Sequence, residues 1–232
     1  MDSWSLVKEN RFREAVNQLT EELLKSPSTG RYNNRGMAYL HLGEYDLALS
    51  DFRAAEENSI REAGGERDNA KVGVALWLSG EHQQAASVWT RGTEAMLDGA
   101  IKYTDAAGGV SIGNLLWFSA VRLGDATGCQ LAIKLLKKKL RTKQSSSWPG
   151  PISRFLLGDV SPAQLRSTVG QVPILRERNL CQAEFYIGVA AFESNRQLYY
   201  ESMRLAAELG SVSKLEAEYY LATYEAGRLD ME

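Results

Sequence analysis

Apolar and small residues recur in the first hundred positions as pairs of short helical stretches divided by glycine-containing turns. In residues 32–55, Gly36, Ala38 and Tyr39 fall on one face, Gly43-Glu44-Tyr45 supplies a turn, and Ala48, Phe52 and Ala55 recur at helical spacing. This pattern predicts two helices hinged at a glycine. Gly36 and Ala48 let the antiparallel pair approach closely, and Tyr39, Tyr45 and Phe52 fill the space around the contact.

The same pattern recurs on either side. In residues 3–26, Ser3–Glu9 leaves room for barely two turns before Asn10-Arg11-Phe12, then Ala15 and Leu19 take the places of Ala48 and Phe52, 33 positions earlier. Pro27, which has no backbone N–H, ends that helix. Beyond a charged, glycine-containing connection expected over Ser59–Arg67, the residues Gly73, Ala75, Leu76, Gly80, Ala85 and Trp89 restore the pattern, with Ala85 standing 37 positions after Ala48. The second helix of this copy is predicted to run from Glu81 past Met96 toward Tyr103, ending before Ala106-Ala107-Gly108-Gly109. Asn114–Val121 and Cys129–Leu140 predict a further pair around Gly124-Asp125.

Trp148-Pro-Gly-Pro151 interrupts the helices. A short helix is expected over Ile152–Leu157, then one from Pro162 toward Val169 capped by Ser161. The last pair, over 179–209, carries Phe185, Gly188 and Ala191 on one helix and Met203, Ala206 and Ala207 on the next. Lys214–Gly227 predicts a closing helix whose polar face caps the stack.

The order Tyr32, Gly36, Tyr39, Ala48, Phe52, Ala55 resembles the tetratricopeptide repeat, a 34-residue helix-turn-helix unit. Arg35 stands where that family prefers an apolar residue, and Ile60 where it often ends with proline. The resemblance implies an all-α fold, a right-handed superhelical solenoid of antiparallel helix pairs that degenerates toward the C-terminus. Its expected parts are two repeats over 3–60, a third over 66–105, a degenerate pair over 112–143, a Pro/Gly break with short helices over 144–172, and a last repeat with a capping helix over 173–228. All would form a single domain, 1–232. The runs Trp148-Pro-Gly-Pro, Phe155-Leu-Leu-Gly-Asp and Phe185-Tyr-Ile-Gly further resemble the second half of bacterial NlpI-type tetratricopeptide adaptors, which implies a role in bringing partners together. The lipoprotein signal and anchoring cysteine of those relatives are not seen here.

With 44% hydrophobic and 24% charged residues among 232, the chain has the composition of an ordinary globular protein. A net charge of −2 gives no overall pull toward nucleic acid or anionic membrane. Met1-Asp-Ser-Trp-Ser-Leu does not read as a signal peptide, so a cytoplasmic location is expected. Cys129 and Cys181 each sit in an apolar helical pattern and are expected to be buried, reduced thiols.

No catalytic constellation emerges, and neither an enzyme activity, a metal nor a cofactor is expected. His41 and His82 lie in or beside repeat turns without the spacing of a zinc site or a triad, and read as surface polar residues. Gly64-Gly65 and Gly108-Gly109 lack the strand-to-helix context of a phosphate cradle and read as linkers. The expected function is a non-catalytic protein- or peptide-binding scaffold or adaptor. In the register of the resemblance, Asn33, Asn34, Met37, His41, Arg67, Lys71, Val74 and Trp77 line its groove, with Trp77 as the exposed anchor.

Chaperone-binding members of the family hold a peptide's terminal carboxylate with an Asn and two basic residues, which match Asn34, Arg67 and Lys71 here. Trp4 stands where that clamp has another Asn. A basic cluster, Lys134, Lys137, Lys138, Lys139, Arg141 and Lys143, reads either as a docking patch for an acidic partner, with Lys134, Lys137, Lys138 and Arg141 foremost, or as the solvated face of an outer helix. Nucleic acid is the less favoured partner, and no membrane is expected. Two other roles stay open, a dedicated inhibitor or immunity protein for one toxin or enzyme, and a ligand-responsive regulator. The short first helix also leaves open its completion by a second protomer.

Overall fold

A computed structural model describes residues 2–63, 69–101, 105–212 and 214–228, with the side chains of 60–63 and 69 outside the description. Among the described residues the fold is all-α and repeats a helix-turn-helix arrangement. The chain forms two compact units, Met1–Val88 and Trp89–Glu232.

The first unit contains α1 (Ser3–Lys8), α2 (Phe12–Lys25), α3 (Thr29–Leu42), α4 (Tyr45–Ala63) and α5 (Asn69–Leu78), with the start of α6 (His82–Asp98). Asp2 caps α1 by accepting from the Ser5 N–H at 2.9 Å, and the helix is short, as its sequence predicts. Leu6, Val7, Ala15, Val16, Leu19 and Ala38 make the core of this end, with Trp4, Phe12, Tyr39 and Leu42 packed on it. Helix α2 stops at Lys25 with Ser26 extended before Pro27, and Ser28 caps α3.

The hinge between α3 and α4 is Gly43 at φ 72°. The close approach rests on Gly36, where a Cβ would lie 2.6 Å from the Phe52 ring. Arg35, where an apolar residue is expected, instead ties three helices. Its guanidinium donates to both Asp51 carboxylate oxygens at 2.8 and 2.7 Å and to Thr20 Oγ1 at 2.9 Å, while Asp51 is only 4% exposed.

Helix α4 runs on to Ala63, so the first half of the connection expected over Ser59–Arg67 is helical. Ile60, standing at the family's proline position, leaves nothing to stop the helix there. Gly64–Arg67 lie outside the described residues. Helix α6 stops at Asp98, short of the predicted Tyr103, because Gly99 adopts φ 75°.

The second unit holds the rest of α6, then α7 (Ser111–Leu123), α8 (Ala126–Lys139), a 3-10 turn (Lys143–Ser146), α9 (Gly150–Leu156), α10 (Pro162–Ser167), α11 (Pro173–Ala191), α12 (Arg196–Gly210) and α13 (Ala217–Gly227). Gly124 at φ 67° and the Asp125 cap form the hinge of α7 and α8. Ser161 and Gln164 make a reciprocal capping box at α10. Gly150 lies against the chain, where a Cβ would meet the Ser145 carbonyl oxygen at 2.0 Å.

Helix α11 is the spine of this unit and packs on α7, α9, α10, α12 and α13. An aromatic series, Trp89, Phe118, Phe185 and Tyr186, runs from α6 through α7 to α11 with ring centroids 5.0–6.2 Å apart. The closing helix differs from expectation. Glu218 and Glu225 of α13 are buried, because polar groups of α7, α11 and α12 face them.

Candidate functional site

The predicted groove divides when placed on the structure. Asn33, Met37 and His41 recur at four-residue steps along α3, with Asn34 beside them, and all four are half-buried. The His41 ring stacks on Phe12 at 4.0 Å and 14°, so one face of it is covered. Asn33 Oδ1 is buried and accepts no hydrogen bond among the described residues. A buried acceptor left bare costs about 1–3 kcal/mol, so its position calls for a donor.

Helix α5 does not present the surface expected of it. Lys71 is half-buried, but Val72–Leu78 are buried throughout. Trp77, the expected exposed anchor, is 1% exposed and lies 4.3 Å from the His82 ring, and Val74 is 2% exposed. The reason is compositional. Asn-Ala-Lys-Val-Gly-Val-Ala-Leu-Trp-Leu has apolar residues on every side of the helix after its first turn, and such a helix is covered all round. His82 is correspondingly half-buried, not a freely solvated surface residue. Arg67 lies outside the described residues, and with it the carboxylate clamp that needs Arg67 between Asn34 and Lys71.

The basic cluster behaves differently. Lys134, Lys137, Lys138 and Arg141 are exposed, and together with Leu97 and Asp98 they line an open depression of ≈ 500 Å³. Lys138 Nζ donates to the Leu97 carbonyl at 2.7 Å, capping the end of α6 where its carbonyls lack helical partners. Lys139 is half-buried and does not line the depression. Burial, and next the neighbouring Lys138 charge, lower its pKa, against an opposing pull from Asp105.

Gly108-Gly109, expected as a linker, belongs to a closed loop. The Asp105 carboxylate accepts from the N–H groups of Ala107 at 3.0 Å, Gly109 at 2.6 Å and Ser111 at 2.9 Å.

Three buried carboxylates of the second unit had no sequence signal beyond their position in apolar helices. Glu184 accepts twice from Arg166, at 2.5 and 2.7 Å. Glu225 accepts from Arg122 at 3.0 Å and from the Tyr199 hydroxyl at 2.7 Å, while Arg122 lies 4.3 Å from the Phe192 ring centroid.

Glu218 has weaker company. Gln182 donates to it at 3.0 Å, Trp148 Nε1 donates to Gln182 at 2.5 Å, and the buried Tyr186 hydroxyl faces it without a well-formed hydrogen bond. Burial, then the charge of Glu216, push its pKa up to about 7. Cys181 is buried and Cys129 half-buried, both free thiols; burial raises the pKa of each. Among the described residues no cluster of His, Cys, Asp and Glu has the arrangement of a metal site, and no helix is long and apolar enough to cross a membrane.

No family model matches the chain, and no curated protein matches it. Among solved structures, the chain is similar to the C-terminal part of a TPR repeat-containing protein from Cytophaga hutchinsonii, with 17% identity, a TM-score of 0.41, and coverage of 99% of this chain and 88% of that one.

Proposed function

We propose that this chain is a non-catalytic, tetratricopeptide-like scaffold that binds a protein partner through the exposed side of α3, at Asn33, Asn34 and Met37. The observation that carries this reading is the half-exposed polar and apolar stripe that Asn33, Asn34 and Met37 form along α3. A partner laid along α3 would hydrogen-bond the exposed edges of the half-buried Asn33 and Asn34 carboxamides, and Met37 supplies an adaptable apolar contact one turn away. The close α3–α4 pairing at Gly36 and Phe52 supports the repeat assignment and gives the stripe a rigid base.

The test is affinity purification from the native cell extract, followed by titration of the captured protein against purified variants. Asn33→Leu/Met37→Glu is expected to weaken binding about ten-fold or more, since one lost buried hydrogen bond and one desolvated charge are each worth about 1–3 kcal/mol. Leu24→Ser, which alters a side chain 83% exposed on α2, serves as the reference. Equal retention of the partner by both variants would remove α3 as the binding surface.

A further inference from the structure

We propose that the depression between the end of α6 and the end of α8 is a second docking site, one that receives an acidic, extended segment of a protein partner. It is independent of the α3 surface.

The charge pattern carries the first step. Lys134 stands three and four residues before Lys137 and Lys138 on α8, so these cations are neighbours on one helical stripe, and Arg141 follows them just past the helix end. Such like-charged neighbours weaken a helix, and here they stand in a chain whose net charge is −2. The fall of the backbone dipole at the end of α8 offsets this for Lys137 and Lys138, and capping of α6 gives Lys138 a structural task. Neither accounts for Lys134, one turn earlier, or for Arg141, beyond the helix end.

Shape supplies the second step. These side chains surround a depression of ≈ 500 Å³ together with half-buried Leu97. That volume lies in the range of about 300–1,000 Å³ typical of ligand clefts. Lys134 and Lys138 are separated by about 6 Å along the helix axis. In an extended chain, side chains on one face repeat at about 7 Å. Alternating glutamates or aspartates therefore meet successive cations, and Leu97 offers an apolar contact between them. Arg141 can take a carboxylate in the two-pronged geometry that a lysine cannot.

The same lining argues for protein over nucleic acid. Among the described residues no lining side chain has an aromatic ring on which a base could stack.

The probe is a fluorescein-labelled heptapeptide alternating glutamate and serine, followed by fluorescence anisotropy at low salt. Its glutamine counterpart and a labelled dodecamer of thymidylate are titrated in parallel. The glutamate peptide is expected to bind at least about ten-fold more tightly than either. Lys137→Glu/Arg141→Glu is expected to weaken it about ten-fold or more. Lys8→Glu/Lys25→Glu, which changes the net charge equally at exposed positions of the first unit, is expected to change it less than about two-fold.

If the double reversal alters the far-UV circular dichroism or the melting curve, Lys134→Gln/Lys137→Gln replaces it, with an expected loss of about five-fold. The proposal is overturned if the wild-type chain does not bind the glutamate peptide, if the glutamine peptide or the thymidylate binds as well, or if the Lys8/Lys25 variant loses as much as the depression variant. None of these outcomes bears on the α3 surface, which is assayed with a different ligand and different residues.

Discussion

Replacing Glu218 with glutamine should remove a pH dependence of stability that the fold builds in. The carboxyl is buried on α13, with Gln182 and Tyr186 of α11 facing it and Glu216, paired to Arg178, two residues before it. Burial first, and then the Glu216 charge, raise it from an ordinary 4.5 to about 7, while the Gln182 N–H pulls the other way. Its folded-state pKa therefore lies above its unfolded value, and between the two the folded chain holds the proton more tightly. The resulting stabilisation is complete below about pH 4.5 and is lost as pH rises through 7. At 1.36 kcal/mol per pH unit the whole effect is about 3 kcal/mol.

Urea unfolding at about pH 5 and about pH 8, wild type beside Glu218→Gln, isolates it because every other titrating group is common to both. The wild type should lose about 2–3 kcal/mol more than the variant on going to the higher pH, and the variant should be the more stable of the two there. Parallel pH dependences for the two proteins would refute the argument that Glu218 is buried and poorly compensated.

Three further outcomes follow from packing. Asp51→Ala strands the Arg35 guanidinium in a half-buried site, and should cost about 3–5 kcal/mol in urea unfolding. Gly36→Ala drives a methyl group into the Phe52 ring and should cost about 1–3 kcal/mol; adding Phe52→Leu should recover part of that in a double-mutant cycle. Gly150→Ala should lower the melting temperature more than Gly36→Ala does, because its added methyl group meets the Ser145 backbone carbonyl, which cannot swing aside as a ring can.

The local grammar of the fold is plain in the sequence. Gly124-Asp125 predicts a hinge and forms one, and Ser161-Pro162 predicts a capped start and makes one. Both depend on a few adjacent residues. Burial depends on what covers a helix from elsewhere in the chain, and there a register borrowed from a repeat family misleads. It assigned Val74 and Trp77 to an open groove, although the continuous apolar run Val72–Leu78, glycine apart, already marks a helix enclosed on all sides. The sequence of the closing helix predicts a polar capping face, but nothing near Glu218 and Glu225 in sequence reveals Gln182, Arg122 or Tyr199, which hold these two carboxylates inside. The basic stripe was legible as charge, but the depression was not, since Leu97 and Asp98 stand some forty positions away from it at the end of another helix.

The pairing of Arg122 with Glu225 has a consequence for the order in which the chain is made. The two residues lie 103 positions apart, and the same carboxylate receives the Tyr199 hydroxyl. During synthesis, α7 emerges long before α13, so Arg122 waits in contact with water until Glu225 has been translated. Helix α13 then joins the second unit through a contact of long sequence separation, the kind that forms late and slows folding. A nascent chain stalled before residue 217 lacks both buried glutamates of α13, and offers proteases and chaperones the flanks of α11 and α12 that α13 would otherwise cover.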